Sequence, residues 1–171
     1  MGIALFENQP IFLFKTLNDI DTLCIKSPSK ASHAIIKLSE IMRYMLNDSK
    51  IEKVLLSKEI ENIKNYISIQ KLCFEEANNV TFKTTGNAEG VHIHPMIFFT
   101  FVENAFKHGQ VTKNNCINIL IEASNNTIYF KCENEKKQHQ LINHSLHHGI
   151  GIENIKRSLK PFLPQQAPVK Y

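Results

Sequence analysis

With 171 residues, 43% of them hydrophobic and 21% charged, the chain is long enough to bury a core and too apolar for global disorder. The net charge of +4 is small and evenly spread, with no basic stripe interleaved with aromatics, which argues against nucleic acid as a partner. Cys24, Cys73, Cys116 and Cys132 show no CxxC pair and no metal-ligand spacing, so small, mostly buried thiols in a reducing, cytoplasmic setting are expected.

Met1 to Phe6 lacks the basic and long apolar runs of a signal peptide. No apolar stretch approaches the roughly 20 residues of a membrane helix, so no membrane contact is expected of this segment. From Phe12 onward Leu13, Leu17, Ile20 and Leu23 recur near helical spacing, with Pro10 starting or kinking the segment. Ser27-Pro28 opens a second helix, since proline suits the first helical position. Its apolar stripe is Ala31, Ala34, Ile35, Leu38, Ile41, Met42 and Met45, ending near Asn47-Asp48-Ser49. A third helix opens at Ser57 with Ile60, Ile63, Ile67 and Phe74 as its apolar face.

After Asn78-Asn79 the period shortens. Val80, Phe82 and Thr84 alternate as a strand before a turn at Gly86-Asn87. Pro95 precedes a buried helix over Met96 to Phe106, closing near Gly109. Cys116 to Ala123 and Thr127 to Cys132 read as a β-hairpin. Glu135 to His148 is a polar, aperiodic loop, and Gly149-Ile150-Gly151 leads into a last helix over Ile152 to Leu159. The expected class is α+β, with helices packed on one face of a sheet.

Chemistry concentrates in Phe101-Val102-Glu103-Asn104-Ala105-Phe106-Lys107-His108-Gly109. Glu103, Lys107 and His108 share one flank of the helix, and with Asn104 they supply an acid, an amide oxygen and two potential cations. Such a flank can hold a divalent metal and a polyphosphate together, because magnesium needs few protein oxygens. The competing reading is a wetted polar face. Gly149 and Gly151 before a helix permit close backbone approach to a phosphate. His139, His144, His147 and His148 read as solvated loop histidines, and His92 and His94 carry no assigned chemistry.

Five segments in register resemble the LytS/YehU-type sensor histidine kinases. Gln9-Pro10-Ile11-Phe12-Leu13-Phe14-Lys15-Thr16-Leu17-Asn18 resembles the phosphoacceptor helix, and Leu38 to Leu46 the family's L-S-x-x-L-R-Y-x-L. Tyr66 to Gln70 is similar to Y-L-x-I-Q, Val102 to Gly109 to V-E-N-A-x-K-H-G, and Gly149 to Asn154 to G-I-G-L-x-N. The resemblance implies a helical dimerisation and phosphoacceptor-like region over residues 1–76. It implies an ATP-binding sandwich of the GHKL type over residues 77–171. In that frame Asn104 ligates Mg2+, with Glu103, Lys107, His108, Glu133, Gly149, Gly151 and Asn154 around ATP. A homodimer, or a heterodimer with a related kinase, and a response regulator are the implied partners.

Three departures follow from the same alignment. Ile11 occupies the acceptor-histidine position and Lys15 that of its following asparagine. A hydrocarbon offers no lone pair to phosphorus, so self-phosphorylation there is excluded, and the next histidine is His33. Glu133-Asn134-Glu135-Lys136-Lys137 replaces the glycine-bearing adenine box. The prolines at 161, 164 and 168 disfavour a central strand, so the sheet is expected to lack its last members. The expected function is a kinase-family protein that binds ATP–Mg2+ without phosphorylating itself. The alternatives are a dimerising scaffold with a vestigial nucleotide site and a kinase that uses another acceptor.

Overall fold

The computed structural model describes residues 9–48, 51–74, 79–108, 117–124 and 127–134. They form α1 (Gln9–Lys26), α2 (Pro28–Asn47), β1 (Val54–Leu55), α3 (Leu56–Cys73), β2 (Val80–Gly86), β3 (His92–Ile93), α4 (Ile97–His108), β4 (Ile117–Ser124) and β5 (Thr127–Glu133). The class is α+β. The predicted last helix and the loop before it lie outside the described residues, as do Cys116 and the prolines of the tail.

Ser27 precedes α2 and Pro28 begins it, as the sequence predicts, although the serine hydroxyl makes no capping hydrogen bond. α1 packs on α2, α2 on α3, and α3 on α4. Ala31, Ala34, Leu38, Ile41 and Met45 are the buried stripe of α2, and Ile63 is buried completely on α3. A fully buried isoleucine contributes about 1.5–3 kcal/mol relative to an exposed one. Ile35 and Met42, expected in the same stripe, are 52% and 40% exposed, and Leu17 of α1 is 51% exposed. α1 and α2 are covered by neighbouring helices along part of their circumference, so each buries a narrower arc than sequence periodicity encloses and the edge positions stay outside. Phe74 falls on the C-cap of α3 rather than on its buried face and is 37% exposed.

α3 goes the other way. Contacts with α1, α2 and α4 enclose it, so Glu59, Asn62, Asn65 and Gln70 are buried along with its apolar residues. β1 pairs antiparallel with β3, Val54 opposite Ile93, and the Leu56 amide donates to the Val91 carbonyl at 2.8 Å. The segment leading into α3 is thereby pinned to the segment leading into α4.

The second sheet has the order β2-β4-β5. β2 and β4 are parallel, Val80 opposite Ile117, which requires a crossover, and α4 lies within it. β4 and β5 form the expected antiparallel hairpin, Ser124 opposite Thr127. Ile117, Ile119, Ile121 and Ala123 alternate inward along β4 and join one core with α4 and the N-terminal helices. Cys24 is exposed, against expectation, while burial pushes the half-buried Cys73 and Cys132 thiols up to about 11 and about 12. Among the described residues no helix is long and apolar enough to cross a membrane.

Candidate functional site at helix α4

The buried face of α4 is Ile97, Phe98, Phe99, Val102 and Ala105. Phe99 meets Phe12 of α1 and Tyr66 of α3 at ring-centroid distances of 5.6 and 5.1 Å, and Phe106 meets Tyr66 at 5.3 Å. On the sheet side Phe98 stacks on Phe130 of β5 at 4.4 Å. Aromatic packing on two sides therefore fixes the rotation of α4 about its axis.

Its start is fixed by a carboxylate. Glu59, on α3 and fully buried, accepts hydrogen bonds from the backbone N–H of Met96 at 3.0 Å, Phe98 at 3.0 Å and Phe99 at 3.1 Å. The Tyr44 hydroxyl of α2 donates to the same carboxylate at 2.6 Å. First-turn amides have no partner within their helix and carry the positive end of its dipole, so an acid from another helix satisfies both. Met96 adopts φ 64°, a left-handed conformation costly for a side chain with a Cβ. It is held by Glu59 on its N–H and by Asn62, whose Nδ2 approaches the Met96 sulfur at 3.6 Å. Sequence analysis missed Glu59. The available signal was its spacing: positions 59, 63, 66 and 70 share one helix face, and Ile63 and Tyr66 are apolar.

Glu103 and Asn104 are half-buried and Lys107 is exposed, and all three lie on α4. Burial raises the Glu103 carboxyl above its ordinary range, while Lys107, one turn along, and Lys15 of α1 pull it back down. Tyr66 is raised by burial and by the negative charges of Glu103 and Asp19. The first helix therefore brings a cation near Glu103. A raised folded-state value means that the folded chain holds the Glu103 proton more tightly than the unfolded one. The stability contributed by the neutral acid is complete below the unfolded value and is lost as pH rises through the folded one. Glu103→Gln is accordingly expected to unfold at higher urea than wild type at pH 8, with the difference vanishing below pH about 4. A difference independent of pH in urea titrations would contradict this.

The remaining predicted positions divide. His108 ends α4, but its side chain is outside the described set, as is that of Ile11, which lies on α1 next to Phe12. Gly149, Gly151 and Asn154 lie outside the described residues, as do His139, His144, His147 and His148. Glu133 is described and is not brought to α4. Ile128, Phe130 and Cys132 alternate toward the core, so Glu133 projects from the other face of β5, where it pairs with Lys131 at 2.7 Å. His92 and His94 hold backbone carbonyls, Nδ1 lying 2.8 Å from the Gly90 oxygen and 3.0 Å from the Pro95 oxygen.

Among the described residues no three His, Cys, Asp or Glu side chains gather into a metal cluster. Glu103 and Asn104, consecutive and half-buried on α4, each carry an oxygen donor, and Lys107 lies one turn from Glu103. That donor set suits a magnesium ion that arrives with phosphate oxygens and water in its own shell.

Residues 7–78 match the histidine kinase family model. Sensor protein kinase HptS of Staphylococcus aureus, in strains USA300, NCTC 8325 / PS 47 and bovine RF122 / ET3-1, is 32% identical over 127 residues, which is 74% of this chain and 24% of HptS. Both matches support membership of the sensor histidine kinase family. The chain spans about a quarter of the length of the relatives it matches.

Proposed function

We propose that this chain is part of the kinase core of a sensor histidine kinase of the LytS type, binds ATP–Mg2+ at α4, and does not phosphorylate itself at the usual helix position. The observation that carries the reading is the pairing of an intact Glu103-Asn104 flank, set by the Glu59 cap, with Ile11 at the acceptor position of α1. Asn104 and Glu103 would hold the magnesium, and Lys107 and His108 the phosphates. Gly149, Gly151 and Asn154 would close the site on the phosphate side of a GHKL-type sandwich. Bound ATP supplies a transferable phosphoryl group. This chain's own residues bind and orient it but offer no imidazole on α1 to receive it. Glu133, facing away, has no part in the cradle.

The same reading includes dimerisation through the first two helices. Phe14, Leu17 and Ile25 make an exposed apolar stripe along α1, and Ile35, Met42 and Leu46 another along α2. Stripes of this kind mark a protein interface. The partner is a second copy or a related, competent kinase, and the phosphate recipient downstream is a response regulator. The parent protein is membrane-anchored in this view, with the present segment on the cytoplasmic side.

The test is calorimetric titration of ATP with Mg2+, run on a sample whose mass is read by light scattering. The expected outcome is a dimer that binds saturably, roughly tenfold or more weakly in Asn104→Ala, with no acid-labile label from γ-labelled ATP. Absence of binding at millimolar ATP removes the nucleotide claim, and label at His33 removes the non-phosphorylating one. The position of Glu133 favours one other reading, a dimerising scaffold with a vestigial site. In that case wild type and Asn104→Ala are indistinguishable.

A further inference from the structure

The Tyr44 hydroxyl joins α2 to the start of α4 through the buried Glu59 carboxylate. Tyr44 is buried on α2, and its Oη donates to Glu59 Oε2 at 2.6 Å. The same oxygen accepts the Met96 amide at 3.0 Å, while Oε1 accepts the amides of Phe98 at 3.0 Å and Phe99 at 3.1 Å. Tyr44 and Met96 therefore share one acceptor atom, so a change in either bond alters the other.

Met96 makes that shared atom consequential. Its left-handed backbone, φ 64°, is costly for a residue with a Cβ and persists only while its surroundings hold it. The holding contacts are the Glu59 bond and the approach of Asn62 Nδ2 to the Met96 sulfur at 3.6 Å. A residue restrained in this way has an ordinary conformation to relax into, so a weakened bond produces a discrete change in the chain entering α4. Ring packing on Tyr66 and Phe130 fixes the rotation of α4, but such contacts are less directional than hydrogen bonds and permit sliding along the axis. Axial position is left to the bonds at the helix start. Asn104 lies about 9 Å along α4 from Phe98, and a helix carries a displacement of its first turn to that point.

We infer that Tyr44 is a positioning residue for the flank of α4 that carries Glu103 and Asn104. It acts through Glu59 and Met96, and by this route α2 sets how well the flank is placed to bind. The effect on affinity rests on the ATP–Mg2+ reading above, whereas the coupling of Tyr44 to Asn104 does not.

Tyr44→Phe removes the hydroxyl and keeps the ring, and the full ¹⁵N-labelled chain is the sample. Displaced native-state peaks are expected at the Phe98 and Phe99 amides and at the Asn104 side chain. ATP–Mg2+ affinity by calorimetry is expected to fall at least about threefold. The folded fraction stays close to one after a modest loss of stability, so a merely structural role moves neither quantity. Ile41→Val trims a fully buried side chain on the same helix and serves as the control, with both quantities expected to stay at wild-type values. An Asn104 side chain unmoved in Tyr44→Phe overturns the inference whether or not ATP binds, and so does an equal response in Ile41→Val. Moved peaks with unchanged affinity overturn the link to binding. Moved peaks in a chain that binds no ATP support the coupling and remove the nucleotide reading instead.

Discussion

Glu59→Ala is expected to cost about 3–5 kcal/mol of folding stability, comparable to breaking a buried charge network elsewhere. The variant removes the acceptor of the Met96 amide just before α4, of two first-turn amides and of the Tyr44 hydroxyl, in a position closed to solvent. Each orphaned donor carries its own desolvation cost of about 1–3 kcal/mol, and relaxation recovers part of the sum. Met96 loses the bond that helps to hold its left-handed backbone. Glu59→Gln keeps one acceptor oxygen and is expected to lose about half as much, and Tyr44→Phe about 1–2 kcal/mol. Burial raises the Glu59 carboxyl, against the pull of its hydrogen bonds from Tyr44, Phe99, Met96 and Phe98. Urea denaturation at one pH checks the order of the three variants. A loss under about 1 kcal/mol in Glu59→Ala would mean that α4 is positioned by its aromatic packing alone.

Gly86→Ala is expected to destabilise by about 3 kcal/mol or more. Gly86 ends β2 at φ 81°, and a Cβ built there would lie 1.9 Å from the Ala123 carbonyl oxygen of β4. That oxygen belongs to rigid paired backbone and accepts a hydrogen bond from the Asn87 amide at 3.2 Å, so the strand cannot move aside cheaply. Gly90 provides the control, with φ 68° and nothing within 4 Å of its Cβ position. Gly90→Ala therefore incurs only the conformational term, about 1 kcal/mol. Equal urea midpoints for the two variants would show that the close approach of β2 to β4 is not maintained in solution.

The elements were largely legible because their signals are local. Ser27-Pro28 marks the start of α2, the alternation in β4 and β5 marks the hairpin, and the Phe-rich run marks α4. Each pattern repeats within a few residues and reports which side of an element is apolar. Legibility failed where burial depends on how many neighbours an element has. Ile35 and Met42 look like core and are exposed, because α2 is covered on one side. Asn62 and Asn65 look like surface and are buried, because α3 is covered on several. The two-residue strands β1 and β3 were invisible for a related reason: their pairing spans the whole of α3 and β2.

What the sequence alone determined is chemical identity. Ile11 cannot accept a phosphoryl group in any fold, and Glu103, Asn104 and Lys107 share a flank of any α-helix that includes them. Tertiary structure alone decided which acid holds the start of that helix, why β2 and β4 run parallel around it, and why Glu133 faces away. Covalent chemistry and helical periodicity are properties of neighbours along the chain. The Glu59 cap joins residues 37 to 40 positions apart, and such contacts exist only after the core has closed.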